Sequence, residues 1–301
     1  MGHDTMVRME LNHQEITSPA RDAASVLMLR DGAQGLEIFM LQRHSNSAVL
    51  GGAYVFPGGK LDAADAELDP ARHLDQTPDT LHRQLAEPEL EPSRASGLYV
   101  AALREAFEES GILFAHGPQG QAPDAVLAGE RLRAGESFGQ VLQAMSLQLS
   151  TRLLVPWSRW ITPKKASVST QRFDTRFFVA AVPDGQDAVH DNVETTHSLW
   201  LRPRQALEDY WARQIDLAPP QIMSLVQLLG HDTVQSVLES SRQRPPATIQ
   251  PEPFDDQGVR TICYPGDPLH SQAERAMQGP TRLRFVDRRF EPVGGFEAFF
   301  A

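Results

Sequence analysis

The chain contains the stretch Leu103-Arg104-Glu105-Ala106-Phe107-Glu108-Glu109-Ser110-Gly111-Ile112, from which the fold and the site can both be predicted. In a helix, Glu105, Glu108 and Glu109 fall at i, i+3 and i+4, so their carboxylates project from one face. Gly111 stands where a glycine commonly ends a helix. The opposite face carries apolar side chains at helical spacing, which predicts a core-facing stripe of Tyr99, Ala102, Leu103, Ala106 and Phe107.

Three neighbouring carboxylates repel one another and weaken an isolated helix, so this face needs positive charge beside it. Arg104 supplies one cation, four residues before Glu108. A divalent metal ion would neutralise the remaining charge, and an all-oxygen ligand set favours Mg²⁺ or Mn²⁺ over metals that prefer His or Cys. The alternative from spacing alone is a solvated, glutamate-rich helix face that binds no metal.

A second motif, Phe56-Pro57-Gly58-Gly59-Lys60-Leu61-Asp62, lies upstream. Together the two motifs resemble the signature of the Nudix hydrolases, in which a glycine and an acidic residue precede R-E-x-x-E-E-x-G. Gly59 matches the opening glycine, and Asp65 stands where the pattern has a glutamate. Roughly thirty extra residues interrupt the pattern before Arg104. Such an interruption is similar to that of a Nudix subgroup that includes a peroxisomal coenzyme A diphosphatase of mammals.

The resemblance implies an α/β fold, the Nudix α/β/α sandwich with a mixed sheet. Residues 1–21 are expected to form an N-terminal tail and residues 22–229 the Nudix domain. A long insertion inside the motif, at about 63–96, is expected to be a surface loop because prolines interrupt it. Residues 230–301 are expected to form a C-terminal extension packed on the domain.

Individual elements can also be predicted from apolar alternation and turn residues. Residues 24–29 and 36–41 are expected to form a hairpin, and residues 153–163 and 172–180 a pair of strands in one sheet. Within the extension, two strands are predicted at residues 259–264 and 283–286.

The resemblance further implies metal-dependent hydrolysis of a nucleoside diphosphate linked to another group. Glu105, Glu108 and Glu109 would bind one to three Mg²⁺ or Mn²⁺ ions, which neutralise charge on the diphosphate as water attacks phosphorus. Glu105 or Glu109 would accept the proton, with Glu194 as a further candidate. Arg104 would orient the glutamates by ion pairing.

The substrate that the resemblance favours is coenzyme A or an acyl-CoA, cleaved to adenosine 3′,5′-bisphosphate and (acyl) 4′-phosphopantetheine. A second hypothesis is a pyrophosphatase for ADP-ribose or a dinucleotide. A third hypothesis is a nucleotide-sensing, Nudix-like protein without catalytic activity, and the complete set of one arginine and three glutamates argues against it.

Substrate contacts are expected from Arg43, Gly58, Gly59, Arg172 and Arg176. The glycines allow backbone to approach a phosphate closely, and guanidinium groups bind phosphate in a bidentate manner. For residues 172–178 there is a structural alternative, in which alternating Arg and Phe mark the two faces of a strand.

Composition excludes several other classes of protein. A net charge of −11 disfavours general nucleic-acid binding, and the single Cys263 excludes an internal disulfide or a multi-cysteine metal site. The sequence contains no run of about 18 apolar residues and no secretion leader, so neither a membrane span nor export is expected. With no peroxisomal Ser-Lys-Leu address at the end, cytoplasm is the expected location. A homodimer is left open.

Overall fold

A mixed β-sheet lies at the centre of the fold in the computed structural model, which describes residues 11–12, 14–44, 50–165, 171–188 and 195–301. The strands are β1 (Arg21–Gly32), β2 (Gly35–Arg43), β3 (Tyr54–Val55), β4 (Gly58–Lys60), β5 (Ala115–His116), β6 (Gln148–Leu149), β7 (Val155–Ile161), β8 (Phe173–Ala181), β9 (Thr195–Leu201), β10 (Ala247–Ile249), β11 (Glu252–Asp256), β12 (Val259–Cys263), β13 (Arg282–Val286) and β14 (Arg289–Pro292). The α-helices are α1 (Ala63–Glu67), α2 (Pro70–His73), α3 (Pro78–Leu85), α4 (Pro92–Ser110), α5 (Ala125–Arg133), α6 (Phe138–Ala144), α7 (Pro203–Trp211), α8 (Pro219–Leu228) and α9 (Val234–Arg242).

Strand β1 lies in the interior of the sheet and pairs with three other strands. It pairs in parallel with β8 on one side and antiparallel with β2 and β4 on the other. The strand order is β10-β7-β8-β1-β2-β3, with β4 also on β1 and β9 also on β2. The predicted hairpin and the predicted pairing of β7 with β8 are confirmed, and β4 lies beside the first half of β1.

Side chains of β1 alternate between two hydrophobic cores, one on each face of the sheet. Val26 and Met28 pack in the core that contains α4, whereas Leu27 and Leu29 pack in the core that contains α7 and α8. All four side chains are fully buried. The α/β/α layering expected from the sequence is therefore confirmed.

Helix α4 carries the acidic stretch, and at each end it has a residue type that commonly begins or ends a helix. Pro92 occupies the first turn, where its missing N–H costs no hydrogen bond. Gly111 caps the other end with φ = 74°, and its N–H donates to the Phe107 carbonyl. The apolar stripe faces the sheet, where the rings of Tyr99 and Phe178 lie 4.6 Å apart. The acidic side chains therefore point away from the core.

The insertion predicted as a loop instead contains three short helices, so that prediction was wrong. Pro70 and Pro78 begin α2 and α3, because proline at the first helical position starts a helix rather than breaking one. Leu81 and Leu85 of α3 are buried in the same core as α4. The insertion is thus anchored to the helix that carries the acidic residues.

The C-terminal residues form an antiparallel sheet in the order β11-β12-β13-β14. The two strands predicted there are confirmed, and β11 and β14 flank them. This sheet is fixed to α7, because the Tyr210 hydroxyl donates to the Phe290 carbonyl at 2.8 Å and accepts from the Phe290 N–H at 2.9 Å. Among the described residues, no helix has both the length and the apolar character needed to cross a membrane.

Candidate functional site

Arg104 is the organising side chain of the acidic face of α4. Its Nε donates to Oδ1 of Asp65 at 2.9 Å, and its Nη2 donates to Oδ2 of the same carboxylate at 3.0 Å. Both residues are buried, with exposed fractions of 9% and 4%. This bidentate pair connects α1 in the insertion to α4. Asp65, which stands where the family pattern has a glutamate, is thus a direct partner of Arg104.

The same guanidinium also holds two of the three glutamates. Its Nη1 donates to Glu105 at 2.9 Å and to Glu108 at 3.0 Å, and its Nη2 donates to the Lys60 carbonyl at 3.1 Å. Burial alone would lower the pKa of Arg104, but its hydrogen bonds to Asp65 and the surrounding carboxylates raise the pKa above its ordinary value. Arg104 therefore stays charged and is fully engaged with protein acceptors.

Arg104 contacts the carboxylates of Asp62, Asp65, Glu105 and Glu108. Asp62 lies at the periphery of this cluster, and Glu108 is the most exposed of the other three. Its side chain is 37% exposed, against 16% for Glu105. Burial raises the pKa of Glu108, and Asp65 and Asp62 add to this effect, while Arg104 opposes it. Arg104 thus compensates only part of the negative charge on this face.

Two glycines of β4 allow the carboxylates to approach the backbone. The Gly58 N–H donates to Oε2 of Glu109 at 2.9 Å, and a Cβ atom on Gly59 would lie only 2.1 Å from Oε1 of Glu105. In the structure these glycines contact protein carboxylates, and their expected contact with a substrate phosphate stays a prediction. Gly59 leaves space for one acidic side chain, and Gly58 supplies a hydrogen bond to another.

Replacing Gly59 with alanine is expected to lower kcat roughly hundredfold with little loss of stability, because the added methyl group displaces the flexible end of Glu105. Gly58→Ala is the matched comparison. Its Cβ would lie 2.4 Å from the Ala24 carbonyl oxygen, which is backbone, so we expect a loss of about 1–3 kcal/mol in folding free energy. Steady-state kinetics and urea unfolding of both variants test this; equal stability losses would contradict it.

The donor chemistry of this cluster fits a hard divalent cation. Glu105 and Glu108 both present oxygens within 3.0 Å of Arg104 Nη1, and Glu109 lies beside them on α4. Within the described ranges, no three Asp, Glu, His or Cys side chains already converge around one metal position. An all-oxygen donor set of this kind suits Mg²⁺ or Mn²⁺ better than metals that prefer His or Cys.

A cavity of about 690 Å³ opens beside the cluster. Its polar end includes Glu105 and Glu108 together with the cations Arg43 and Lys60. In the part of the chain that the structure describes, neither Arg43 nor Lys60 forms an ion pair. Unlike Arg104, these two cations remain available to an anionic ligand. The rest of the lining is largely apolar and includes Trp160, Phe173, Phe177, Pro251, Ile262 and Phe290.

Of the three arginines expected to contact substrate, only Arg43 lines this cavity. Arg172 donates to the carbonyls of Thr162 and Ser18. Arg176 is 4% exposed and donates to Glu87 and Asp22, on the face of β8 opposite the cavity. The alternation of Arg and Phe therefore marks the two faces of β8. Phe173, Thr175 and Phe177 line the cavity, while the residues between them point away from it.

Several lining residues escaped the sequence reasoning. Lys60 appears in the sequence analysis only as part of the glycine motif, and Gln221 lies in no motif identified there. The alternation in β8 contained a usable signal, since placing the arginines on one face places the aromatic side chains on the other. Ile262 and Phe290 gave no such signal because they reach the cavity through tertiary packing. Glu194, the further candidate for the proton acceptor, lies outside the described residues.

This chain is similar to a family of known proteins. Residues 17–228 match the family model of the NUDT19 Nudix domain. The acyl-coenzyme A diphosphatase NUDT19 of Gallus gallus is 30% identical over 272 residues, which cover 74% of this chain and 72% of that protein. Its counterpart in Xenopus laevis is 28% identical over 277 residues, with coverages of 78% and 72%.

A solved structure shows the same fold. The NUDIX hydrolase from Alicyclobacillus acidocaldarius is 25% identical, with a TM-score of 0.59 over 74% of this chain and 97% of that one. The expected resemblance is confirmed by both the family match and the fold. The chain belongs to the NUDT19 family of Nudix hydrolases, enzymes that hydrolyse diphosphate bonds.

Proposed function

We propose that this enzyme is a metal-dependent diphosphatase that cleaves coenzyme A or acyl-CoA to adenosine 3′,5′-bisphosphate and (acyl) 4′-phosphopantetheine. The observation that carries the proposal is the uneven lining of the cavity. Carboxylates lie at one end with Arg43 and Lys60, which form no ion pair among the described residues, and uncharged, largely apolar side chains line the rest. Coenzyme A has the same division, with a strongly anionic nucleotide half and a neutral pantetheine half. The names of the relatives point to the same substrate class.

The residues of the polar end have different roles in hydrolysis. Glu105, Glu108 and Glu109 would hold Mg²⁺ or Mn²⁺, which supplies charge neutralisation on the diphosphate. Arg104 fixes the positions of two of these carboxylates. Glu105 or Glu109 accepts a proton from the attacking water. Arg43 and Lys60 bind phosphate oxygens and hold the diphosphate beside the glutamates.

Mass spectrometry of the reaction products tests this function. Purified enzyme is incubated with coenzyme A and, separately, with ADP-ribose, in the presence of Mg²⁺, Mn²⁺ or EDTA. We expect adenosine 3′,5′-bisphosphate and 4′-phosphopantetheine from coenzyme A with either metal, and none with EDTA. Cleavage of ADP-ribose alone would contradict the substrate assignment, and turnover that persists in EDTA would contradict the role of the metal. Failure to cleave either compound would favour a nucleotide-binding protein.

Replacing Arg43 with alanine is expected to raise KM for coenzyme A roughly tenfold to hundredfold, because a charge-assisted hydrogen bond to phosphate is lost. Arg172→Ala is the matched control. The Arg172 guanidinium donates to the Thr162 and Ser18 carbonyls and does not itself line the cavity, so KM should change less than about twofold. Initial rates across a range of coenzyme A concentrations measure both. A larger effect at Arg172 than at Arg43 would contradict the assignment.

A further inference from the structure

The cavity runs across the sheet from the catalytic end to the C-terminal strands. The strand registers place Lys60, Ala23, Thr175 and Trp160 in one row, on β4, β1, β8 and β7. Neighbouring strands lie about 4.8 Å apart, so Trp160 is roughly 14 Å across the sheet from Lys60. A ligand whose diphosphate lies at Lys60 therefore needs a long arm to reach Trp160.

The far end of the cavity is an apolar limb, formed by Trp160, Phe173, Phe177, Pro251, Ile262 and Phe290. The last three residues belong to the C-terminal region, beyond the residues that match the family model. Among the described lining residues, the cations are Arg43, Lys60 and Arg104, and none of them is in the limb. The limb therefore suits an uncharged group and disfavours a phosphate.

The wall that the C-terminal sheet contributes is held rigidly. Both backbone groups of Phe290 are hydrogen-bonded to the hydroxyl of Tyr210 on α7. Tyr264, which follows β12 directly, packs edge-on against Trp160 with ring centroids 5.8 Å apart. Ile262 is 3% exposed in the same hydrophobic core. Because this wall is fixed, its side chains can discriminate between ligands by size.

The pantetheine arm has the length to connect the two ends. Its two amide bonds make it comparable to about four extended residues, or roughly 14 Å. With the anionic nucleotide half at Arg43 and Lys60, the sulfur end lies beside Trp160 and the C-terminal strands. An acyl group on that sulfur would extend the ligand into the limb.

We propose that the C-terminal sheet forms an acyl-binding wall and that Ile262 and Phe290 determine which acyl-CoA thioesters are hydrolysed efficiently. This inference rests on the proposed function. It assigns the region after residue 228 a role in substrate choice and fixes the direction in which the substrate lies. Each methylene that enters the limb gains about fourfold in kcat/KM, because it leaves water for an apolar surface.

A series of thioesters tests the wild-type enzyme first. We expect kcat/KM to rise from free coenzyme A through acetyl-, butanoyl- and hexanoyl-CoA, with butanoyl-CoA about fifteenfold above acetyl-CoA. Equal values across the series would overturn the acyl site while leaving the diphosphatase function in place. Failure to cleave any member, coenzyme A included, would overturn the function and with it this inference.

Two substitutions at one position then locate the site. Ile262→Phe fills the limb, so the ratio of kcat/KM for hexanoyl-CoA to that for free coenzyme A should fall about tenfold. Ile262→Ala enlarges the limb and should raise the ratio of octanoyl-CoA to butanoyl-CoA several-fold. Ile249→Ala is the matched control. It removes an equally buried isoleucine of the same core that does not line the cavity, so both ratios should stay within about twofold.

Ratios measured on one preparation are insensitive to the fraction of a variant that has folded. Unchanged ratios in both Ile262 variants would overturn the proposal. So would equal effects on free coenzyme A, acyl-CoA and ADP-ribose, because that result would place the nucleobase, rather than the acyl group, in the limb. A shift in the Ile249 control as large as that at Ile262 would show a general effect of core packing and would also overturn it.

Discussion

Replacement of Glu108 by glutamine is expected to abolish turnover, lowering kcat about a thousandfold, while the fold remains intact. Glutamine keeps the size of the side chain and an oxygen that can accept from Arg104 Nη1, now 3.0 Å from the carboxylate. It removes the negative charge that a divalent cation requires. The side chain is 37% exposed and lines the cavity, so core packing is not disturbed.

Glu208→Gln provides a closely matched control for this substitution. Arg204 and Glu208 on α7 form the same i, i+4 arrangement, with 2.9 Å between Nε and Oε1, but neither residue lines the cavity. We expect wild-type kcat and an unchanged thermal unfolding midpoint. Titration with Mn²⁺, followed by electron paramagnetic resonance, gives a second readout, since Glu108→Gln should weaken metal binding. Near wild-type turnover with unchanged Mn²⁺ affinity would remove Glu108 from the metal site.

The acidic helix could be predicted because its information is local. The helical spacing of the three glutamates, the apolar stripe and Gly111 all act within one helix, and the structure contains each of them in α4. Asp65 was singled out by its spacing to Gly59, but its contact with Arg104 was not predicted. That contact bridges 39 positions in the sequence.

The insertion and the C-terminal sheet could not be predicted as well because their roles depend on tertiary contacts. In a sequence, a proline is compatible both with the interruption of a helix and with its first residue. The helices of the insertion form because Leu81 and Leu85 pack in the same core as α4. Phe290 reaches the cavity because Tyr210, 80 positions away, fixes its backbone. No local pattern encodes such contacts.

Arg176 shows how a correct chemical argument can lead to the wrong location. Arginine does bind phosphate, but a strand alternates its side chains, and at position 176 the sequence cannot say which face is the cavity. The structure surrounds this guanidinium with the carboxylates of Glu87, Asp22 and Asp174. Its positive charge is therefore used within the protein.

Arg176→Ala is consequently expected to destabilise the enzyme by about 3 kcal/mol, because the substitution removes the most buried of the cations that balance these three carboxylates. Glu87 comes from the insertion, and Asp22 and Asp174 come from β1 and β8, so the arginine ties the insertion to the sheet. Arg159 stays in contact with Glu87 at 3.0 Å and keeps the network from losing all positive charge. Urea unfolding followed by tryptophan fluorescence measures the loss.

Arg94→Ala tests whether burial, rather than the mere presence of an ion pair, sets the size of this effect. Arg94 contacts the same Asp22, but its side chain is 56% exposed, against 4% for Arg176. A solvent-exposed pair contributes less than about 1 kcal/mol, so this variant should unfold at nearly the wild-type urea concentration. The folded fraction of Arg176→Ala should keep its KM for coenzyme A. A raised KM with unchanged stability would instead return Arg176 to the substrate site and would mean that the cavity extends through the sheet to its opposite face.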